Sequence, residues 1–332
     1  MPQSKSVVFI LGTAIFLLNA WQASSAKAAS PSVKLTQEPD RIRVEVDGEL
    51  FTEYRFKGAP HVYYYPLLFP GGIPMTRSYP MVPDSKGEDH DHPHHRSLWF
   101  SHGDVNGIDF WSEIAKAGSI VHDKFLEVTS GRDSGVIRSA NKWVATDGKV
   151  ICTDETTFRV FSGKGLRTID FEVTLKASEG SDVTLGDTKE GTMALRLNET
   201  MRLKPNKENT GKPGGQIVQS SGVTGDKTWG KQAEWCDYSG PINGKIMGVA
   251  IFDHPSNPRH PTWWHVRDYG LFAANPFGVH DFEKKPAGTG NMLIPAGKSV
   301  TFRYRIVLHE GDEKQADIAT LYKTFATEKP SK

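Results

Sequence analysis

Cysteine is nearly missing: the 332 residues hold two, Cys152 and Cys236. They allow one intramolecular bridge or two separate buried thiols, and a chain of this length needs no staple to build a core. An excess of charge of one sign is also missing. Forty basic residues stand against thirty-nine acidic ones, a formal +1, so nothing is set aside to neutralise a nucleic-acid backbone and no nucleic-acid partner is expected. Long apolar runs are missing as well. Val7–Leu18 is almost wholly apolar, but a spanning helix needs about 20 such residues. The chain has no low-complexity tract, no G-x-S-x-G elbow, no phosphate-cradling G-x-x-x-x-G-K-[ST], no dinucleotide G-x-G-x-x-G on a strand–helix turn and no H-E-x-x-H. Nucleotide and organic redox cofactors are therefore not expected.

What is present begins with an export signal. Met1–Ser6 carries Lys5, the apolar run follows, and Ala26-Lys27-Ala28 supplies a small-residue cleavage site. Charged start, apolar centre and small-residue exit read as a signal peptide over residues 1–28, the alternative being a retained membrane anchor. The mature chain, residues 29–332, is then expected to be periplasmic or extracellular, with no membrane span. Its net charge is −1, because cleavage removes Lys5 and Lys27 and no acid.

Thirty-two glycines and twenty prolines favour short strands and many turns. Arg41–Val46 alternates polar and apolar, as a half-buried strand does. Strand-like runs follow at Val62–Phe69, Gly135–Ala145, Val150–Phe161, Leu166–Ala177, Thr192–Asn198, Ile246–Phe252 and Ser299–His309, with turn signals at Asp147-Gly148 and Gly163-Lys164-Gly165. About fifteen strands are expected in all. One helix is expected, Glu313–Thr327 capped by Asp312, with Ile318, Leu321, Tyr322 and Phe325 on one apolar stripe. Lys204–Gly230 reads as a surface excursion. The fold class is all-β: one large antiparallel β-sandwich closed by a C-terminal helix.

The chemistry concentrates in two histidine-rich stretches. Five of twelve histidines fall between residues 90 and 102: His90, His92, His94, His95 and His102. In an extended backbone His90, His92 and His94 would face one side and offer imidazoles to a divalent metal. The same groups suit acid/base work near neutral pH. Arg96, Trp99, Asp104 and Asn106 accompany them. The second stretch, Asp253–Gly270, holds His254, His260, His265 and Arg267, with Trp263-Trp264 as a surface for stacking on a sugar ring. One of these tryptophans is expected to be core. His280 follows closely. In a turn before a strand, Asp187, Lys189 and Glu190 offer a carboxylate beside cations.

The runs GEDHDHPHHRSLWFSHGDVNGIDFW (Gly87–Trp111), DTKEG (Asp187–Gly191) and FDHPSNPRHPTWWHVRDYGLFAANPFG (Phe252–Gly278) resemble a family of secreted bacterial proteins labelled methane oxygenase PmoA or PmoA-like. The resemblance implies a galactose-mutarotase-like supersandwich, a fold whose members bind sugars on a concave sheet face and often use His with Glu or Asp. On that resemblance the first cluster forms one wall of a groove, with His254, His260 and His265 opposite and Glu190 or Asp187 as the carboxylate. The glutamate base of the mutarotase pattern has no clear equivalent in Gly290–Glu310.

These observations lead to a secreted carbohydrate-active enzyme, a lyase, hydrolase or epimerase acting on a sugar or glycoside. Its catalytic candidates are His92, His94, His95, His102, Glu190, His260 and His265. Its ligand-binding candidates are Arg96, Trp99, Asp104, Asn106, Trp263, Trp264, Arg267 and His280. A non-catalytic carbohydrate-binding protein and a metal-dependent oxidoreductase with His90, His92 and His94 as ligands are the alternatives.

Overall fold

A computed structural model describes residues 1–3, 32–163, 165–206 and 214–329; the expected signal peptide and its cleavage site lie outside them. Among the described residues two antiparallel sheets of eight strands each form the body of the fold, and two two-stranded sheets are additional. The first runs, edge to edge, Val33–Gln37, Arg41–Val46, Glu49–Arg55, Tyr63–Tyr64, Leu98–His102, Gly191–Arg196, Leu271–Asn275 and Trp263–Val266. The second runs Gln216–Gln219, Trp235–Ile242, Lys245–Asp253, Ser299–Glu310, Leu166–Lys176, Val150–Phe161, Ser134–Val144 and Ser119–Thr129.

Side chains of a strand alternate between faces, so each sheet sends every second residue inward. Ile42, Val44, Leu98, Phe100 and Met193 of the first sheet meet Phe158, Ile169, Phe171, Tyr304 and Ile306 of the second in one core. Tyr64 stacks on Phe158 with ring centroids 4.1 Å apart. The long strands of the second sheet alternate cleanly, as Leu166–Lys176 does, because much of their outer face meets water. The central strands of the first sheet, Leu98–His102, Gly191–Arg196 and Leu271–Asn275, are buried at every residue. Something must therefore cover their outer face, and it is the histidine-rich loop.

The C-terminal helix is Ile318–Thr327, shorter at its start than the sequence suggests. Asp312 does accept from the Lys314 and Gln315 amides, but this closes a separate turn. Asp317 then sits in the left-handed region (φ 51°) and the helix begins after it. Ile318, Tyr322 and Phe325 pack on Trp235, Ala250, Phe252 and Val307, on the outer face of the second sheet. A five-residue helix, Val279–Glu283, and the strand Gln216–Gln219 inside the expected excursion are additional. Both cysteines are free and buried. No helix among the described residues is long and apolar enough to cross a membrane.

Candidate functional site

Strand register lays out the site. On the outer face of the first sheet Tyr63 lies opposite Trp99, Trp99 opposite Ala194, Ala194 opposite Ala273, and Ala273 opposite His265. Neighbouring strands are about 4.8 Å apart, so Trp99 and His265 are separated by about 14 Å with only two methyl groups between. Tyr63, Trp99, Trp111, Ala194, Leu271 and Ala273 form a small apolar cluster on this face. Leu98, Phe100, Met193, Trp264 and Phe272 point the other way, into the main core.

The loop before Leu98 folds back over this floor. His95 stacks on Trp99 (5.3 Å between centroids), His92 on His95 (4.7 Å), and Tyr269 on His92 (5.3 Å). His94 stands edge-on to His95 at 4.5 Å. Buried arginines hold the loop in place. Arg77 donates to the Asp91 carboxylate (2.6 Å) and to the carbonyls of Asp89, Asp91 and His92. Arg196 donates to Asp91 (3.0 Å) and Glu199 (3.3 Å), and Arg202 to Asp89 and Glu199 (both 2.6 Å). Arg77 and Arg196 are both 0% exposed. Burial works to raise the Asp91 pKa, but His92, Arg196 and Arg77 overcome it and hold the carboxyl well below the usual carboxylate range. On the other flank Arg96 lies over the Tyr63 ring and forks onto Glu113, with Nη2 at 2.7 Å from Oε2.

Glu190 joins the two histidine stretches. It sits just before the strand Gly191–Arg196, 34% exposed at its side chain, with the Lys189 ammonium 2.7 Å away. Its charge acts on His94, His265 and Tyr269, which come from two other segments of the chain. The Lys189 carbonyl lies 2.5 Å from His265 Nδ1. A carbonyl only accepts, so Nδ1 carries the proton and Nε2 is left as an acceptor. Burial pushes His94 down to about 4, helped by His92 and opposed by Glu190. It pushes His265 down to about 4 as well, against Glu190 and the Lys189 carbonyl. Both rings are neutral at pH 7. The His94 ring has no hydrogen-bond partner among the described residues. Trp99 Nε1, Trp111 Nε1, Ser101 Oγ and Arg196 Nε are likewise buried without one.

A family description matches residues 41–323, that of a family of unknown function, DUF6807. The chain belongs to this family. No curated protein matches the DUF6807 chain. Among solved structures, an α-galactosidase from Lactobacillus brevis is 11% identical with a TM-score of 0.43; the match covers 90% of this chain but only 43% of that one. A galactose mutarotase related enzyme from Lactobacillus acidophilus is 9% identical (TM-score 0.35; 83% of this chain, 97% of that one). A galactose mutarotase-like protein from Lactobacillus casei is 9% identical (TM-score 0.36; 83% and 100%).

Several sequence-predicted residues lie elsewhere in the DUF6807 chain. The run from His90 to His94 is a loop, not an extended strand, and His92 takes a left-handed conformation (φ 45°). His90 consequently leaves its two partners: it stacks on Tyr79 at 4.5 Å and its Nε2 contacts the Ser85 carbonyl at 2.8 Å. Among the described residues no three His, Cys, Asp or Glu side chains come together to hold a metal, so the proposed set of His90, His92 and His94 is not formed. His102 is three residues on from Trp99 and therefore faces the core, against Phe277 and the Gly186 carbonyl. Asp104 and Asn106 are spent on turns, accepting from the amides of Gly107 and Thr184. His254 and His260 do not converge with the first cluster. His254 caps the C-terminal helix region through Ser256, the Glu328 carbonyl and Phe325. His260 pairs with buried Asp253 at 2.7 Å. Trp264 is the core tryptophan, whereas Trp263 shares the His265 face and donates to Glu283. Trp99 is fully buried with His95 over its ring, so it supports the site and offers no stacking face. His280 is exposed on the short helix beside Lys285.

Sequence reading missed Arg77, Trp111, Glu199, Arg202, Trp229 and Tyr269. Tyr269 follows Asp268 in the second stretch, and its spacing of four from His265 was the available signal. A separate pocket of about 200 Å³, lined by Arg159, Glu172, His254 and Arg303, opens on the outer face of the second sheet. It has one imidazole and no counterpart of the Glu190 cluster.

Proposed function

We propose that this DUF6807 chain binds a sugar or glycoside over the Ala194–Ala273 floor and acts on it as a lyase, hydrolase or epimerase. The observation that carries the reading is that the charge of Glu190 acts on two buried, neutral imidazoles, His94 and His265, from distant segments. Glu190 takes the proton from a sugar hydroxyl or ring carbon. His94, neutral and free of protein partners, donates a hydrogen bond to the oxygen that gains charge. A neutral imidazole can do this without becoming an acid of matched strength. His265 Nε2 accepts from a neighbouring hydroxyl and orients the ring. The unpaired polar atoms of Trp99, Ser101, Trp111 and Arg196 suit ordered water beneath the site, since buried polar groups seek partners.

The test is a panel of mono- and oligosaccharides screened by thermal shift, because a ligand stabilises the state it binds. A hit should be turned over by the wild-type chain, and Glu190→Gln should still bind it while turnover falls about 100-fold or more. Binding with no turnover by either protein would make this a binding module and end the catalytic reading.

A further inference from the structure

We propose that the site takes an acidic sugar, a hexuronate or a sugar phosphate, whose anionic group is bound by Arg267. This rests on the carbohydrate reading above and narrows its substrate class.

The cations around the site are Arg77, Arg96, Lys189, Arg196, Arg202 and Arg267. Five of them are matched: Arg77, Arg196 and Arg202 by Asp89, Asp91 and Glu199, Arg96 by Glu113, and Lys189 by Glu190. Arg267 alone has no carboxylate within ion-pair distance, and no group among the described residues accepts from its guanidinium. The neighbouring acids are already engaged: Lys204 binds Asp268 and lies 3.4 Å from Asp226.

Position supports the same conclusion. Arg267 is two residues beyond His265 and so leaves the chain on the same face. Its amide donates to the Leu271 carbonyl at 2.8 Å, which fixes the backbone there. The guanidinium lies over two rings, 5.7 Å from the centroid of Trp229 and 5.7 Å from that of Tyr269. Tyr269 in turn stacks on His92, and Trp229 meets His265 edge-on at 6.4 Å. The guanidinium is thus placed against two aromatic rings next to the acid/base cluster, with its donors unspent. A pocket of about 250 Å³ opens beside it, lined by Trp229, Val266 and Arg267 together with Lys204, Asp226 and Asp268. A planar, pre-positioned guanidinium matches a carboxylate or phosphate through two parallel hydrogen bonds, which a lysine cannot reproduce.

Calorimetric titration with neutral hexoses, hexuronates and hexose 6-phosphates tests this. One of the acidic series should bind the wild-type chain about tenfold or more tightly than its neutral parent. The series that does so distinguishes carboxylate from phosphate. Arg267→Gln should remove that preference, and Arg267→Lys should restore only part of it. A wild-type unfolding midpoint without ligand in both variants shows that the chain still folds. Equal affinity for neutral and acidic sugars, or a preference that survives Arg267→Gln, overturns the role of Arg267 and leaves the carbohydrate reading standing. Binding of none of the three series contradicts the carbohydrate reading and this inference together.

Discussion

Glu199 shows what a single buried charge does in this molecule. It is 5% exposed and accepts from both Arg196 and Arg202. Those two arginines and Arg77 hold the loop that carries His92, His94 and His95. Removing one partner of a buried ion network leaves the rest desolvated and uncompensated, which costs about 3–5 kcal/mol. Glu199→Gln keeps the volume and removes the charge. Urea unfolding should show a loss of that order; a loss below about 0.5 kcal/mol would mean that solvent screens the network as it does surface pairs. This network was hard to read from sequence. Its acids and bases are spread from Arg77 to Arg202, and only the spacings of three from Arg196 to Glu199 and from Glu199 to Arg202 hint at pairs. By contrast, Glu190 beside Lys189 and the density of histidines near residue 92 stood out from local composition alone.

The same contrast appears among the elements. The long strands of the second sheet were legible nearly to the residue, Val150–Phe161 and Leu166–Lys176 among them, because one face is wet and the alternation survives in the sequence. The runs LWFSH and LFAAN are buried on both faces and lose that alternation, so Leu271–Asn275 passed unrecognised. The apolar stripe of the C-terminal helix was legible from its three-and-four spacing. Its start was not, because the left-handed Asp317 that interrupts it carries no strong sequence signal. Phe325 is 5% exposed between the sheet and the Arg305 guanidinium. Phe325→Ala should lower stability by about 3–5 kcal/mol in chemical denaturation, the usual range for deleting a buried phenyl group. A negligible change would show that the helix is not part of the cooperative fold.

Across the whole molecule the buried histidines set a response to acid. Burial pushes His94, His102 and His265 from 6.5 down to about 4, so the unfolded chain binds these protons more readily than the folded one. Their contribution is fully present above pH 6.5 and is lost as pH falls toward 4. Asp154, Asp237 and Asp253 work in the opposite sense, since burial raises their pKa values. For His265, which is 2% exposed, the loss amounts to roughly 3 kcal/mol. The unfolding midpoint should therefore drop between pH 6.5 and 4, and His265→Gln should show a shallower drop than wild type. Equal slopes would mean that burial does not depress the titration of His265.

The proposed function requires Glu190, His94 and His265 to form one ligand site on the outer face of the first sheet. The most direct measurement is an experimental structure of the chain with a saccharide that it binds. Density is expected above Ala194 and Ala273, with a hydroxyl within hydrogen-bond reach of the Glu190 carboxylate and His265 Nε2. A saccharide seated instead in the pocket of Arg159 and Arg303 on the opposite sheet, with the Glu190 cluster untouched, would contradict it.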